Sequence, residues 1–335
     1  PGRMAAALKA IGFDYVFDTN WAADLTIMEE GSEFIHRFTH YDEYKWPMFT
    51  SCCPGWVRFL KGQFPEFTDS LSTAKSPQQM FGAVAKSYFA EKLGLDPKKL
   101  FCVSLMPCTA KKSERALPTM KNDAGDWDVD AVITTREFER MLRSRGVALN
   151  LLGEIPFDSP LGESTGAAVI FGATGGVMEA AVRTAYEIHC GKPLPNINLE
   201  AVRGIYGDSV RTATVDFNGL PVKVAICYGL SNARQLMEEV RNGNPNGYHF
   251  VEVMACPGGC IGGAGQPYHH GKSDIIQKRM EATYREDAGK PIRKSHENPD
   301  IIAIYKEYYG EPCGHLSHEQ LHTHYFDKSD KIESK

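Results

Sequence analysis

Apolar residues recur along the chain at two alternating periods. Helical spacing runs through 3–11, stopped by Gly12, and through 21–38 behind a cap at Asp18-Thr19-Asn20. It returns at 54–62, with Pro54 at the first position, and at 76–94, with Ser76 as N-cap. Further helices are predicted at 135–145, 177–189 and 231–241, and in the tail near 274–287, 298–309 and 315–324. Between them lie runs of strand length at 15–17, 100–106 (a buried strand), 130–134, 212–217, 222–227 and 248–254. Asn218-Gly219 joins two of these as a hairpin. Residues 147–168 and 190–210 read as irregular, and 166–176 as an apolar run broken by glycines. Strands alternating with helices predict an α/β fold of mixed, largely parallel sheets flanked by helices. In such sheets ligands gather at the carboxyl ends of the strands.

Cysteines stand at three of those ends. Cys52 and Cys53 follow the run at 46–49, Cys108 follows 100–106, and Cys256 and Cys260 follow 248–254. Adjacent cysteines in extended chain point opposite ways, so one can ligate while its neighbour faces elsewhere. A helix start at Pro54 would lower a thiol pKa there. The last loop holds Gly258, Gly259, Gly262, Gly263 and Gly265, residues able to take φ > 0 and bring main chain against a bound group. Cys53, Cys108, Cys256 and Cys260 would satisfy a cubane iron–sulfur cluster or a structural zinc. Zinc knuckles use close cysteine pairs, and here only one close pair exists, which favours the cluster.

Composition narrows the class. The 335 residues are 42% hydrophobic and 24% charged with net charge −5, which makes no case for nucleic acid or an anionic membrane as a partner. No apolar stretch reaches the ~18–20 residues a membrane span requires. No secretory signal is visible. The chain opens at Pro1 inside a helical pattern, as a fragment of a longer protein would. Nine unevenly spread cysteines fit a reducing compartment with thiolates kept for metal. Cys102, Cys190 and Cys227 sit in apolar segments and read as core.

Three other features carry chemistry. Glu30, Glu33 and Arg37 share one helical face, either a solvated charged face or a buried relay for protons. Lys111, three residues past Cys108, suits an anionic ligand or plain surface. His318-Glu319-Gln320-Leu321-His322 is a literal H-E-x-x-H with His315, His324 and Glu311 nearby, but too little chain follows it to build a protease cleft.

Taken together, TSCCPGW at 50–56, MPCTAKKSE at 106–114 and EVMACPGGCIGGAGQP at 252–267 resemble the three signature motifs of the iron-only (FeFe) hydrogenases. SHENP at 295–299 and LHTHY at 321–325 resemble that family's C-terminal stretch. The resemblance covers almost the whole chain and makes the H-E-x-x-H match accidental. It implies reversible oxidation of dihydrogen to protons and electrons at an H-cluster. That cofactor is a [4Fe–4S] cluster bridged to a diiron unit carrying CO, cyanide and a dithiolate bridge. By motif, Cys53, Cys108, Cys256 and Cys260 would hold the cubane, with Cys260 as the bridging thiolate. Cys52 would relay protons, and Glu30, Ser72, Glu33 and Arg37 would carry them outward. Lys111 would hydrogen-bond a cyanide, with Glu114 as its carboxylate partner. Met106, Met254, Pro107, Ser76, Pro77, Gln78 and Phe171 would line the cavity.

The same resemblance implies one catalytic domain over 1–335 in two lobes without a set boundary, the metal cluster lying between them. It also leads us to expect that this chain lacks the family's ferredoxin-like domains and that the natural protein extends N-terminally. Expected partners are a ferredoxin or an electron-transfer subunit or domain, and maturation proteins for the diiron unit. The expected compartment is the cytoplasm, with the periplasm open. Assembly factors that share the fold lack an intact first motif, and sensory members tend to replace the relay cysteine, whereas Cys52 and Cys53 are both present here. Ala264 departs from a run that is usually all glycine in the family.

Overall fold

The computed structural model describes residues 1–122, 124–205 and 209–325. Two separate sheets organise it. The larger has the order β1 (Met48–Phe49), β6 (Phe250–Met254), β5 (Leu220–Tyr228), β4 (Val210–Phe217). The first two pairings are parallel, and β4–β5 is an antiparallel hairpin. The smaller pairs β2 (Val103–Met106) with β3 (Ala131–Thr134) in parallel. The fold is thus mixed α/β with mostly parallel pairing, as the alternating periods predict. The hairpin turns at Asn218 and Gly219, both at positive φ, as a tight two-residue turn requires.

The helix Thr19–Thr39 is the spine. Asp18 caps it through the Asn20 N–H at 3.0 Å. Ile27 and Phe34 pack on Val177, Met178 and Ala181 of the helix Gly176–Cys190, while Trp21 and Leu25 pack on Met80 and Val84. Because it is covered on more than one side, its polar residues are buried too. Glu30 and Arg37 are 1% and 5% exposed, so the solvated-face reading of 29–37 fails.

Several expected elements change on folding. Residues 15–17 are extended but unpaired, because Val16 N–H donates to the Asp158 carboxylate rather than to a neighbouring strand. The 100–106 strand pairs only over Val103–Met106, and Phe101 is 72% exposed, so it is not a buried strand. Helix 76–94 passes through a π turn at Ala85–Phe89, and 298–309 does so at Tyr305–Tyr309. Ser76 occupies the N-cap position, but its hydroxyl goes to Glu114 instead of the helix. The apolar run at 166–176 contains a short helix, Gly166–Ile170. Of the three cysteines read as core, Cys227 is buried, while Cys102 and Cys190 are half-buried. In the irregular segment 190–210, residues 206–208 lie outside the described residues. No helix among the described residues is long and apolar enough to cross a membrane.

Candidate metal centre

The strand ends do converge. β1, β2 and β6 end at Phe49, Met106 and Met254, and the cysteine loops leave directly from them. Gly265 N–H donates to the Pro107 carbonyl at 2.9 Å, which docks the third loop on the second. Ala255 N–H reaches Cys53 Sγ at 3.4 Å, which docks it on the first. Cys53, Cys108, Cys256 and Cys260 then lie close enough that their charges oppose one another. Burial, followed by these neighbours, pushes the Cys260 thiol far up. Cys53 is raised as well, since burial outweighs the N–H groups of Ala255 and Trp56, contrary to the expected lowering at the helix start. Four half-buried thiols gathered at the strand ends form a site for a cationic group.

The sulfur spacing separates the two candidate groups. In tetrahedral zinc with Zn–S near 2.3 Å the sulfurs stand about 3.8 Å apart. Among the described residues no three of these four sulfurs fall within 4.8 Å of one another. The donor set fits a cubane, which spreads its cysteine ligands over a larger volume than a single ion does.

The glycines serve loop packing more than approach to a cluster. Only Gly258 and Gly259 of the five hold positive φ, at +74° and +92°. A Cβ on Gly259 would meet Met254 Sδ at 2.6 Å and Thr174 N at 2.7 Å, and one on Gly263 would meet the Pro107 carbonyl at 2.2 Å. Ala264 is exposed and offers its N–H to Cys256, so its methyl crowds nothing.

Lys111 is 7% exposed. Its ammonium lies 2.9 Å from both Glu114 oxygens and 2.9 Å from the Cys52 carbonyl. Glu114 in turn accepts from Ser76 Oγ at 2.9 Å and Gln78 Nε2 at 3.3 Å, and Gln78 Oε1 accepts from Ser104. Lys111 is therefore not plain surface, whereas Lys112 beside it is exposed and pairs with Glu137. A lysine has three protons. One proton shared across both carboxylate oxygens leaves another for an anionic ligand. Pro77 is buried at the first turn of its helix, Met254 is 3% exposed, and Met106 and Phe171 are half-buried, Phe171 packing with Met254 in one apolar cluster.

From Cys52 a buried polar line runs outward. Burial, then the Glu30 charge, raises the Cys52 thiol well above its usual value, with Lys111 opposing. Burial pushes Glu30 up to about 8, held back by the Ser72 hydroxyl and the Ser51 N–H. Ser72 Oγ donates to Glu33 Oε2 at 3.0 Å, and Arg37 Nη2 holds Glu33 Oε1 at 2.5 Å. The Arg37 guanidinium lies over the half-buried Tyr44 ring at 5.3 Å.

Sequence reasoning missed Glu252. It is fully buried on β6 and accepts from Gly175 N–H at 2.7 Å and Met178 N–H at 2.8 Å, so it caps the helix Gly176–Cys190. Its charge also raises Glu30. A lone carboxylate in the apolar run FVEVM was the signal. The H-E-x-x-H histidines stack ring on ring with centroids 4.7 Å apart, but His322 follows the short helix His315–Leu321 and its Nε2 lies 2.9 Å from Glu29, so the two do not aim at one shared ion.

Three strand-end loops bring together four thiols and a buried lysine, a donor set that suits an iron–sulfur protein. The chain belongs to the iron-only hydrogenases: residues 1–264 match the family model for the iron-only hydrogenase large subunit, C-terminal domain. Residues 273–328 match that for the iron hydrogenase small subunit, so both segments lie in one chain. The chain is 53% identical over 331 residues to the NADP-reducing hydrogenase subunit HndD of Solidesulfovibrio fructosivorans, covering 98% of this chain and 56% of that one. It is 44% identical over 328 residues to iron hydrogenase 1 of Clostridium pasteurianum, covering 97% and 56%. It thus spans about half the length of these curated relatives. Among solved structures, an apo [FeFe]-hydrogenase HydA1 variant from Chlamydomonas reinhardtii superposes with TM-score 0.85 at 44% identity, covering 98% of this chain and 88% of that one.

Proposed function

We propose that this chain interconverts dihydrogen with two protons and two electrons at an H-cluster held by Cys53, Cys108, Cys256 and Cys260, with Cys260 as the bridging thiolate. The observation that carries the reading is four mutually opposed thiols, spaced too widely for one ion, directly beside a buried acid–hydroxyl–acid line. When bound, the H-cluster supplies the site where dihydrogen is split or formed and stores the electrons.

The protein's own residues hold and move the proton. Cys52 keeps its thiol protonated and can pass its proton on as it receives another from the opposite side, neutral before and after the transfer. Glu30, at about 8, is mostly protonated at neutral pH, and its Oε2 has no partner among the described residues, leaving one oxygen open toward a donor. Ser72 donates to Glu33 and can accept in turn, since a hydroxyl both donates and accepts. Arg37 pairs with Glu33 at the outer end. Lys111 offers fixed positive charge to anionic ligands of the diiron unit, and Pro107, Met106, Met254, Phe171, Ser76, Pro77 and Gln78 wall the cavity. Electrons pass to or from a ferredoxin or an electron-transfer subunit or domain, the diiron unit comes from maturation proteins, and the compartment is cytoplasmic with the periplasm as alternative.

Infrared spectroscopy of anaerobically matured protein tests the reading. CO and cyanide stretches on iron, with hydrogen evolution from a reduced one-electron donor, are expected. Full maturation without those bands overturns it.

A further inference from the structure

Outside the cysteine loops, three donor atoms of different chemistry meet beneath the C-terminal helix. Glu29 Oε2, Cys313 Sγ and His322 Nε2 all lie within 4.8 Å of one another. Glu29 is fully buried and His322 is 6% exposed, while Cys313 is half-buried and gives the group its opening to solvent.

Glu29 has no lysine or arginine ion pair among the described residues; His322 Nε2 lies 2.9 Å from it. The Cys313 N–H at 2.7 Å and the Tyr305 hydroxyl donate to its carboxyl. The second ring nitrogen of His322, Nδ1, lies 2.7 Å from Thr73 Oγ1. With the ring proton on Nδ1, Nε2 faces Glu29 Oε2 as acceptor against acceptor, and a cation between them removes the conflict. A ring nitrogen fixed from behind by a hydrogen bond is the usual arrangement of a ligating histidine. Cys313 also holds φ +54°, uncommon for a residue with a Cβ, and this backbone brings both its N–H and its thiol to Glu29.

We propose that Glu29, Cys313 and His322 form a binding site for one divalent transition-metal ion of the zinc class, with water completing the shell. One thiolate, one imidazole and one carboxylate match Zn²⁺ and are too soft for Mg²⁺ or Ca²⁺. On binding, the thiol proton leaves to solvent and the metal–sulfur bond forms; the ring proton resides on Nδ1, donated to Thr73 Oγ1. A neutral His322 therefore releases one proton per metal, and no oxidation occurs. The site touches the proton line, because Thr73 N–H also donates to Glu33 Oε2 at 3.0 Å.

The test uses the matured enzyme, whose cluster cysteines are already bonded to iron. One equivalent of Zn²⁺ is added, excess is removed, and zinc content and zinc-edge X-ray absorption are measured. One zinc per chain is expected, with a single sulfur at about 2.3 Å and the remaining shell of nitrogen and oxygen at about 2.0–2.2 Å. Cys313→Ser should lose the sulfur and bind at least tenfold more weakly, with an unchanged circular dichroism spectrum. Glu29→Gln, close in shape, should also bind at least tenfold more weakly. No retained zinc, a shell of several sulfurs, or a sulfur that persists in Cys313→Ser overturns the assignment.

Discussion

The ammonium of Lys111 lies 2.9 Å from the main-chain carbonyl of Cys52, so a buried charge ties the second cysteine loop to the first. Its counter-charge, Glu114, is itself 5% exposed. Lys111→Ala should therefore leave an uncompensated buried carboxylate and cost about 3–5 kcal/mol. Urea denaturation checks this. Lys111→Ala with Glu114→Ala should recover part of the loss, yet neither variant should retain the diiron unit at normal occupancy by infrared spectroscopy. Full occupancy in Lys111→Ala would refute its role toward the diiron ligands.

Cys52 is not one of the four thiols assigned to the cubane. Cys52→Ser should keep the iron of the cubane and lose turnover by about 10²-fold or more, the typical worth of a positioned proton carrier. Hydrogen evolution normalised to iron content measures it. Near wild-type rates would remove Cys52 from the relay.

Glu30 governs a pH dependence. Its carboxyl is raised from 4.5 to about 8 on folding, so between those values the folded chain binds more protons than the unfolded one. This contribution to stability is complete below about 4.5 and is lost as the pH rises through about 8. Glu30→Gln should flatten that fall, seen as a smaller difference between denaturation midpoints at pH 6 and pH 8.5, and should cut turnover as Cys52→Ser does. Glu252, raised to about 7, adds a fall of the same sign that should persist in Glu30→Gln.

Gly259 and Ala264 should respond oppositely. Gly259→Ala places a Cβ 2.6 Å from Met254 Sδ at a φ of +92°. Overpacking there should cost about 1–3 kcal/mol and displace the loop that carries Cys260, lowering iron content. Ala264→Gly, at an exposed position, should stay within about 0.5 kcal/mol of the parent and keep full iron. A large loss in Ala264→Gly would mean that its methyl has a contact not seen here.

Much of this was legible in the chain. The hairpin at Asn218-Gly219 and the stop at Gly12 follow from local backbone chemistry, as the positive φ at each position shows. The cysteines at strand ends were legible for a similar reason, since a strand's period and its exit are local features of sequence. The fate of 29–37 was not. Its spacing places Glu30, Glu33 and Arg37 on one face, but whether that face meets water depends on helices arriving from residues 77–84 and 176–190.

Sequence alone therefore determined the α/β class and, through three motifs, the family, and it singled out the four thiols proposed as ligands. Tertiary structure decided what those pieces do to one another. It spread the sulfurs beyond the reach of one ion, gave Lys111 both Glu114 and the Cys52 carbonyl, and placed His322 Nε2 on Glu29 with its ring stacked on His318. The division has a physical cause. Strand, turn and helix preferences are set within a few residues, whereas burial, charge pairing and donor spacing depend on segments hundreds of residues apart.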